Sequence, residues 1–254
     1  MMLPISVFII TKNEEKHIRK TLISVADMDE VIVVDSGSID GTAQIAKEYG
    51  AITYFHEWQG YAKQKQYAMS LCKHEWVLNL DADEAINTHM VAAFKGIIEQ
   101  DTADSVRFWR NDLFMGQPLS AFSKKPNNHR LYRRSKAHFD DSRLAHESAT
   151  VDGKEVFINQ AFDHYGYDSI ETITAKNNLY SSLKSQEKYD KGKSYSTVKL
   201  TMVFFLTLIK EYFFQRKIFS GRRGFILSMM AAYYSFIKEA KLYELHENHK
   251  KPPL

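Results

Sequence analysis

Three segments of this chain share one pattern, in which an apolar, strand-like stretch leads directly into polar residues that include carboxylates. They are Ile10–Glu15 (ITKNEE), Val31–Thr42 (VIVVDSGSIDGT) and Trp76–Glu84 (WVLNLDADE). In an open α/β sheet, the carboxyl ends of parallel strands form the edge that binds ligands. If the three strands are neighbours, four carboxylates gather along that edge, those of Glu14, Asp35, Asp81 and Asp83. Such an edge suits ribose hydroxyls and a metal-bridged diphosphate, which indicates a nucleotide.

Strand and helix patterns alternate over residues 1–110. This alternation predicts βαβ units, and therefore an α/β fold with a mostly parallel central sheet flanked by helices. Residues 111–168 lose the alternation, since Leu113–Leu119 predicts a hairpin and 135–165 predicts loops and short strands. A mixed second half of this kind suits an acceptor site built onto a nucleotide-binding half.

The remainder of the chain, residues 169–254, is helical in pattern. Ser169 is placed to cap the first of these helices. We therefore predict a catalytic domain of residues 1–168 and a helical C-terminal extension of residues 169–254.

The bulk properties predict a cytoplasmic protein. The chain has 254 residues, enough for a sizeable core, and its single cysteine, Cys72, favours a reducing compartment. The first apolar run lacks the basic leader of a signal peptide. No stretch reaches the roughly 20 apolar residues that a membrane-spanning helix needs.

The pair Asp81 and Asp83 carries the strongest chemical signal. Alternate residues of an extended segment point the same way, so both carboxylates can face one site. Hard divalent cations prefer oxygen ligands and bind through a few carboxylates together with substrate phosphates. The alternative is a solvated acidic turn, but the two matching strand ends upstream favour a site for a nucleotide sugar.

The other two strand ends supply further polar groups. Asp35 lies too deep in its strand to cap the next helix, and its carboxylate can accept from a base N–H or a ribose hydroxyl. Glu14 follows Thr11 and Asn13 and can equally stabilise the next helix through its dipole. Lys65 lies in a helix after Gly60, where a cation near a diphosphate is reasonable, although a solvated face is an equal alternative.

Together, the three motifs resemble those of the family 2 glycosyltransferases, which have the GT-A nucleotide-diphospho-sugar fold. The resemblance covers roughly residues 4–110 and implies that the donor nucleobase is held by four residues, Thr11, Asn13, Glu14 and Asp35. It implies that Lys65 occupies a basic position where the family more often has arginine. It also implies that Asp81 contacts the ribose and that Asp83 binds a divalent cation, Mg²⁺ or Mn²⁺.

Motifs further along the chain are similar to those of bacterial lipopolysaccharide core glucosyltransferases. They are GYAKQKQYA, the pair His146-Glu147, GYDSIETITAKNNLYS, FSGRRGF and FIKEAKLYEL. This resemblance implies UDP-glucose as donor, a sugar of the lipopolysaccharide core as acceptor, and an inverting reaction. Such a reaction needs a base to deprotonate the acceptor hydroxyl. The expected base is Glu147, with Asp140 and Asp141 as alternatives.

The charge of the chain is unevenly distributed. Residues 184–251 hold 14 lysines and arginines against 6 acidic residues, whereas the rest of the chain holds 20 against 25. Val198–Phe214 is apolar nearly all round, and four basic residues follow it, Arg216, Lys217, Arg222 and Arg223. This combination predicts peripheral contact of residues 198–223 with an anionic membrane, at the cytoplasmic face of the inner membrane. A buried helical core is the alternative, and no motif supports binding to nucleic acid.

Two other functions compete with a glycosyltransferase. A sugar nucleotidyltransferase needs a glycine-rich basic loop after its first strand to hold a triphosphate, but here that loop is acidic and lacks glycine. A membrane-peripheral scaffold with the same fold would not need Asp81 and Asp83. Both features favour the glycosyltransferase.

Overall fold

The structure is a computed structural model that describes residues 2–140 and 148–250. In it, the apolar runs of the first half form a parallel sheet. Its strands are β1 (Leu3–Thr11), β2 (Met28–Asp35), β3 (Ile52–Phe55) and β4 (Trp76–Asp81). Both β2 and β4 pair with β1 in parallel, and β3 pairs with β2 in the same sense. The parallel pairing predicted for this half is confirmed.

Both faces of this parallel sheet are covered by helices, as the apolar residues of its central strands require. The helices are α1 (Glu15–Ser24), α2 (Thr42–Glu48), α3 (Tyr61–Ser70) and α4 (Thr88–Gln100). Alternate residues of β1 enter two separate cores, because successive side chains of a strand point to opposite faces. Val7 packs in the core that includes Ile18 of α1 and Phe94 of α4, whereas Phe8 packs in the core that includes Met69 of α3.

Beyond β4 the sheet becomes antiparallel. The remaining strands are β5 (Glu84–Ala85), β6 (Ser105–Phe114), β7 (Gln117–Pro118), β8 (Asn127–Arg133), β9 (Ala137–His138), β10 (Thr150–Val151) and β11 (Glu155–Tyr167). The main sheet has the order β3-β2-β1-β4-β8-β6-β11-β5, and β7 pairs with β6 as the predicted hairpin. A short turn of 3₁₀ helix, Arg134–Lys136, connects β8 to β9.

The prediction of only loops and short strands over residues 135–165 was wrong, because β11 is a strand of 13 residues. Its polar side chains disfavour a strand on propensity alone. Neighbours on β6 supply partners for them: the indole N–H of Trp109 donates to Asn159 at 3.0 Å, and the amide of Asn111 donates to Asp163 at 2.9 Å. These cross-strand bonds depend on tertiary pairing and leave no local pattern.

Contacts between residues divide the chain into two units. The first contains the residues up to Asp112 together with Lys125–Tyr165, and the second contains Leu113–Lys124 together with the chain from Gly166 onward. The hairpin segment therefore groups with the helical extension.

The second unit is built from three long helices, α5 (Ile170–Asp190), α6 (Thr197–Ile209) and α7 (Gly221–Lys250). A π-helical turn, Lys210–Phe214, and a 3₁₀ turn, Lys217–Ser220, lie between α6 and α7. Ser169 caps α5 as predicted, since its hydroxyl accepts from the Thr172 N–H at 3.1 Å. None of the helices in the described part of the chain is long and apolar enough to cross a membrane.

Candidate active site

The ends of the three central strands lie side by side. Thr11 at the end of β1 is in register with Asp35 at the end of β2. On the other side of β1, Ile10 is in register with Asp81 at the end of β4. The structure therefore brings Thr11, Asp35 and Asp81 to one edge of the sheet, and Asp83 lies two residues further along the chain.

Asp35 is buried, and its two carboxylate oxygens have different surroundings. One oxygen accepts the N–H groups of Gly37 and Ser38, each at 2.6 Å. The other is enclosed and has no hydrogen-bond partner within the described residues, and the same holds for the Thr11 hydroxyl. Buried polar atoms are nearly always paired, and leaving one unpaired costs about 1–3 kcal/mol. The neighbouring Thr11 and Asp35 thus hold two acceptors without partners in the described part of the chain at this edge, and a ligand could reach them only if the surrounding groups moved.

Asn13 and Glu14 join the loops that follow β1 and β2. The Asn13 N–H donates to the Ser38 hydroxyl at 2.8 Å, and the Asn13 side-chain oxygen accepts from the Ile39 N–H at 2.9 Å. The Glu14 N–H donates to the Thr42 hydroxyl at 2.8 Å. Asn13 adopts a φ of 56°, a conformation that asparagine tolerates better than most residues. The two loops are therefore fixed to each other beside Asp35.

Asp81 lies between two cations. Lys65 Nζ is 2.9 Å from one carboxylate oxygen, and a guanidinium nitrogen of Arg130, on β8, is 3.0 Å from the other. Burial by itself raises the pKa of Asp81, but the two cations outweigh it and hold the pKa well below its usual range. The Asp81 side chain is still 37% exposed, so its carboxylate remains accessible to a hydroxyl donor.

Arg130 also pairs with Glu84, which is fully buried at the start of β5. Glu84 in turn accepts the backbone N–H of Asp81 at 3.0 Å. Burial is the main reason that the pKa of Glu84 is raised, while the charge of Arg130 opposes the rise. Arg130 and Glu84 therefore hold the backbone and the carboxylate of Asp81 from inside the protein.

We expect Arg130→Met to lower the free energy of unfolding by about 3–5 kcal/mol, because it leaves the buried Glu84 carboxylate without its countercharge. For a chain of this length the melting temperature should fall by roughly 10 °C. The matched control is Arg107→Met, since Arg107 is partly exposed and pairs with the exposed Glu155; that change should cost less than about 1 kcal/mol. Thermal denaturation measures both, and equal losses would contradict the role given to Arg130.

Asp83 is buried and faces a histidine that the sequence did not single out. His164 Nε2, on β11, is 3.6 Å from the Asp83 carboxylate, and His164 Nδ1 is 2.9 Å from the carboxylate of Asp112 on β6. Burial lowers the pKa of His164, but hydrogen bonding to Asp112 and Asp83 outweighs it and raises the pKa to about 9. The histidine thus occupies the position of a countercharge to Asp83.

The backbone around the two aspartates is fixed from both sides. The hydroxyl of Thr21, in α1, donates to the Ala82 carbonyl at 2.8 Å. The Tyr165 N–H, on β11, donates to the Asp83 carbonyl at 2.8 Å. The turn from β4 to β5 is therefore held in one conformation, which presents Asp81 and Asp83 in fixed positions.

The residues beside Asp83 fit a divalent cation. A carboxylate and an imidazole are both common ligands, and ligating histidines usually donate their other ring N–H to a carboxylate, as His164 does to Asp112. No group of three or more histidine, cysteine or acidic side chains placed to hold a metal ion occurs in residues 2–140 and 148–250. A ligating imidazole is neutral, so a cation at Asp83 and His164 would displace the Nε2 proton of the histidine. It would take its remaining ligands from substrate and water, as Mg²⁺ commonly does.

The expected catalytic base, Glu147, lies outside the residues that the structure describes. Glu147 and Asp141 lie in residues 141–147, outside the described part of the chain. Asp140 precedes this segment and is partly buried. The choice among the three acids therefore stays a prediction.

Sequence reasoning did not find four residues that surround the aspartate pair, namely Glu84, Asp112, Arg130 and His164. Each lies in a strand of the antiparallel half. All except Glu84 are far from the aspartates in sequence. No local signal marked Arg130, because its strand reads NNHRLYR and is mostly polar. Strand pairing, rather than spacing along the chain, brings these side chains together.

The fold matches solved structures of a known kind. The structure of S. aureus TarS 1-349 in complex with UDP-GlcNAc is similar with a TM-score of 0.51 at 16% sequence identity, over 96% of this chain and 89% of that chain. The parallel half-sheet, the antiparallel strands beyond it and the flanking helices are those of the GT-A fold, as predicted.

Comparison of sequences gives the family. The model of glycosyl transferase family 2 matches residues 6–166. The lipopolysaccharide core biosynthesis glycosyltransferase LpsC of Rhizobium meliloti (strain 1021) is 31% identical over 260 residues, which cover 98% of this chain and 96% of LpsC. An uncharacterized glycosyltransferase of Rickettsia felis is 35% identical over 253 residues, which cover 94% of this chain and 89% of the relative. The chain belongs to glycosyl transferase family 2, and the resemblance to lipopolysaccharide core enzymes is confirmed.

Proposed function

We propose that this glycosyltransferase moves a hexose, glucose from UDP-glucose, onto a sugar hydroxyl of a lipopolysaccharide core or a related glycolipid, with inversion at the anomeric carbon. The observation that carries the proposal is the common edge of Asp35 and Asp81, each at the end of a strand that pairs with β1. Asp83 lies two residues beyond Asp81. Along that edge, Asp35 can accept a hydrogen bond from a base, Asp81 can accept one from a ribose, and Asp83 can ligate a cation.

In this proposed function, the donor nucleotide binds along the edge formed by the ends of β1, β2 and β4. The partnerless oxygen of Asp35 and the Thr11 hydroxyl receive the N–H of the base, and Asn13 and Glu14 form the wall beside it. Asp81 accepts from a ribose hydroxyl. Lys65, which holds Asp81 at 2.9 Å, contributes positive charge near the diphosphate.

The leaving group needs its charge neutralised. A divalent cation, Mg²⁺ or Mn²⁺, bound at Asp83 and His164 would offset the charge that develops on the departing diphosphate. Asp112 orients the His164 ring through its 2.9 Å contact with Nδ1. Tyr165 and Thr21 keep the aspartate turn in place, so the charged groups need little rearrangement when the bond breaks.

The acceptor hydroxyl loses its proton to Glu147 in this mechanism and attacks the anomeric carbon from the side opposite the leaving group. Attack from that side inverts the configuration, so the product carries a β linkage. The lipopolysaccharide acceptor is supported by the near full-length similarity to LpsC.

A thermal-shift panel of nucleotide sugars with Mn²⁺ tests the donor. A ligand present at 100 times its Kd and bound only by the folded state stabilises it by about 2.7 kcal/mol, or roughly 5–10 °C for a chain of this size. We expect that shift with UDP-glucose and a smaller one with GDP-mannose, and we expect chelator to reduce the UDP-glucose shift. No shift with any UDP-sugar would contradict the donor site, and release of pyrophosphate from a nucleoside triphosphate would favour a nucleotidyltransferase.

The lipid acceptor also explains the surface of the second unit. Residues 198–223 carry exposed apolar side chains followed by four basic residues, and α6 contains no buried residue. This favours peripheral contact with an anionic membrane over a buried helical core. At the cytoplasmic face of the inner membrane, such contact would place the enzyme beside its glycolipid.

A further inference from the structure

Two phenylalanines that lie far apart in the sequence form one exposed pair in the second unit. Phe122 belongs to the segment after β7, and Phe219 belongs to the 3₁₀ turn before α7. Their ring centroids are 5.6 Å apart, yet Phe122 is 70% exposed and Phe219 is 60% exposed. We call this pair the aromatic tip.

The aromatic tip is held by hydrogen bonds between its two segments. The Ser120 N–H donates to the Ser220 hydroxyl at 2.9 Å, and the Ser123 hydroxyl donates to the Arg216 carbonyl at 3.2 Å. The Lys124 N–H donates to the Gln215 carbonyl at 3.0 Å. Because residues on both sides of Phe122 are fixed, the ring cannot easily fold back to bury itself, and its exposure is built into the structure.

The aromatic tip adjoins in sequence a longer series of exposed apolar side chains. These are Val198, Met202, Phe205, Leu206, Ile209, Phe213 and Phe214. From Val198 to Ile209 the spacings are three, four or one residue, which place the side chains on one face of α6. Exposed apolar groups in this number indicate a surface that is covered by a partner.

The charge around the aromatic tip favours an anionic partner. Neither Leu113–Lys124 nor residues 212–238 contain an acidic residue, while Lys124, Arg216 and Lys217 lie within a few residues of the tip. Glu211, the acidic residue nearest in sequence, pairs with Lys217 at 2.7 Å. A second copy of the chain would bring the same positive charge to this surface and would be repelled, whereas anionic lipid headgroups would be attracted.

We propose that residues 119–124 and 213–223 form a two-part insertion surface for a bilayer of anionic phospholipid. The aromatic tip enters the boundary between headgroups and acyl chains, and Lys124 and Arg216 bind the headgroup phosphates. The inference rests on the proposed membrane contact of residues 198–223. It adds to that contact a segment nearly 100 residues away in the chain, which no apolar or basic run marked in the sequence.

Co-sedimentation with vesicles tests the proposal on the full chain. We expect binding to vesicles of phosphatidylglycerol and phosphatidylcholine, and at least tenfold weaker binding to phosphatidylcholine alone. Phe122→Ser should weaken binding to the anionic vesicles by about tenfold, the equivalent of burying roughly half of a phenylalanine side chain. The matched control is Phe157→Ser, which removes an exposed phenylalanine of the first unit and should leave vesicle binding unchanged.

A second measurement locates Phe122 directly. Phe122→Trp adds a fluorophore, and the signal of the three native tryptophans is subtracted by measuring the unchanged chain in parallel. Quenching of the added tryptophan by brominated acyl chains is the expected result. Thermal shifts with UDP-glucose, which should be the same for all variants, check that each one is folded.

The outcomes separate this inference from the function on which it rests. If the unchanged chain binds anionic vesicles and Phe122→Ser binds equally well, the aromatic tip is not an insertion site, while the contact through α6 stands. If the unchanged chain binds no vesicles, the membrane contact itself fails. Self-association that Phe122→Ser abolishes would overturn the proposal in favour of a second copy of the chain.

Discussion

Asp83→Asn is expected to lower kcat/KM for sugar transfer by about a thousandfold. The amide keeps the shape of the side chain but removes the negative charge that would hold a divalent cation beside His164, which lies 3.6 Å away. Metal charge contributes several kcal/mol to stabilising a leaving diphosphate, and about 4 kcal/mol corresponds to a factor of a thousand in rate. Steady-state transfer from UDP-glucose at saturating Mn²⁺ measures the effect.

The matched control for this change is Asp27→Asn. Asp27 is exposed and lies just before β2, whereas Asp35 lies at the other end of the same strand. Removing the charge of Asp27 should therefore leave transfer unchanged. The Asp83→Asn variant should also lose the dependence of UDP affinity on Mn²⁺, which a purely structural defect would not remove selectively. Full activity in Asp83→Asn, or transfer that chelator does not affect, would refute the metal role of Asp83.

Glu147→Gln is expected to lower kcat for transfer by about 10²–10⁴-fold while leaving UDP affinity unchanged. Glutamine cannot accept the proton of the acceptor hydroxyl, and general base catalysis contributes a factor of this size. Donor binding should persist because it depends on the strand ends of β1, β2 and β4. Single-turnover transfer and titration of UDP with Mn²⁺ measure the two properties separately.

Two further variants decide among the three acids. Asp140→Asn and Asp141→Asn remove the alternative bases with the same chemical change, and each should retain most of the transfer activity. If one of them loses transfer with UDP affinity intact and Glu147→Gln does not, the base is that aspartate. Loss of UDP affinity in Glu147→Gln would instead indicate a role in donor binding.

The fold of the first half was predictable because its signals are local. Buried strands such as β1 and β4 are mostly apolar runs, and the helices between them show apolar faces of helical period. Strand β11 was not predictable in this way, since Asn159 and Asp163 gain their partners from β6. Its polar residues become compatible with a strand only when β6 lies beside them.

The residues of the candidate site also differ in whether the sequence alone could predict them. Asp35, Asp81 and Asp83 were predicted as site residues because each lies at or just beyond the end of an apolar strand, and a strand end is visible in the sequence. Arg130 and His164 were not found, although Arg130 pairs with Asp81 and His164 faces Asp83. Both stand on antiparallel strands that reach the aspartates only through the order of the sheet.

The sequence by itself determined the family, the parallel half of the sheet and the carboxylates at its edge, because each depends on residues that are close together in the chain. Only the tertiary structure decided which charges oppose those carboxylates and which aromatic rings remain exposed. The pairing of Arg130 with Glu84 and of Phe122 with Phe219 joins residues separated by tens of positions. Contacts of that kind follow from strand order and packing, which no local pattern in the sequence encodes.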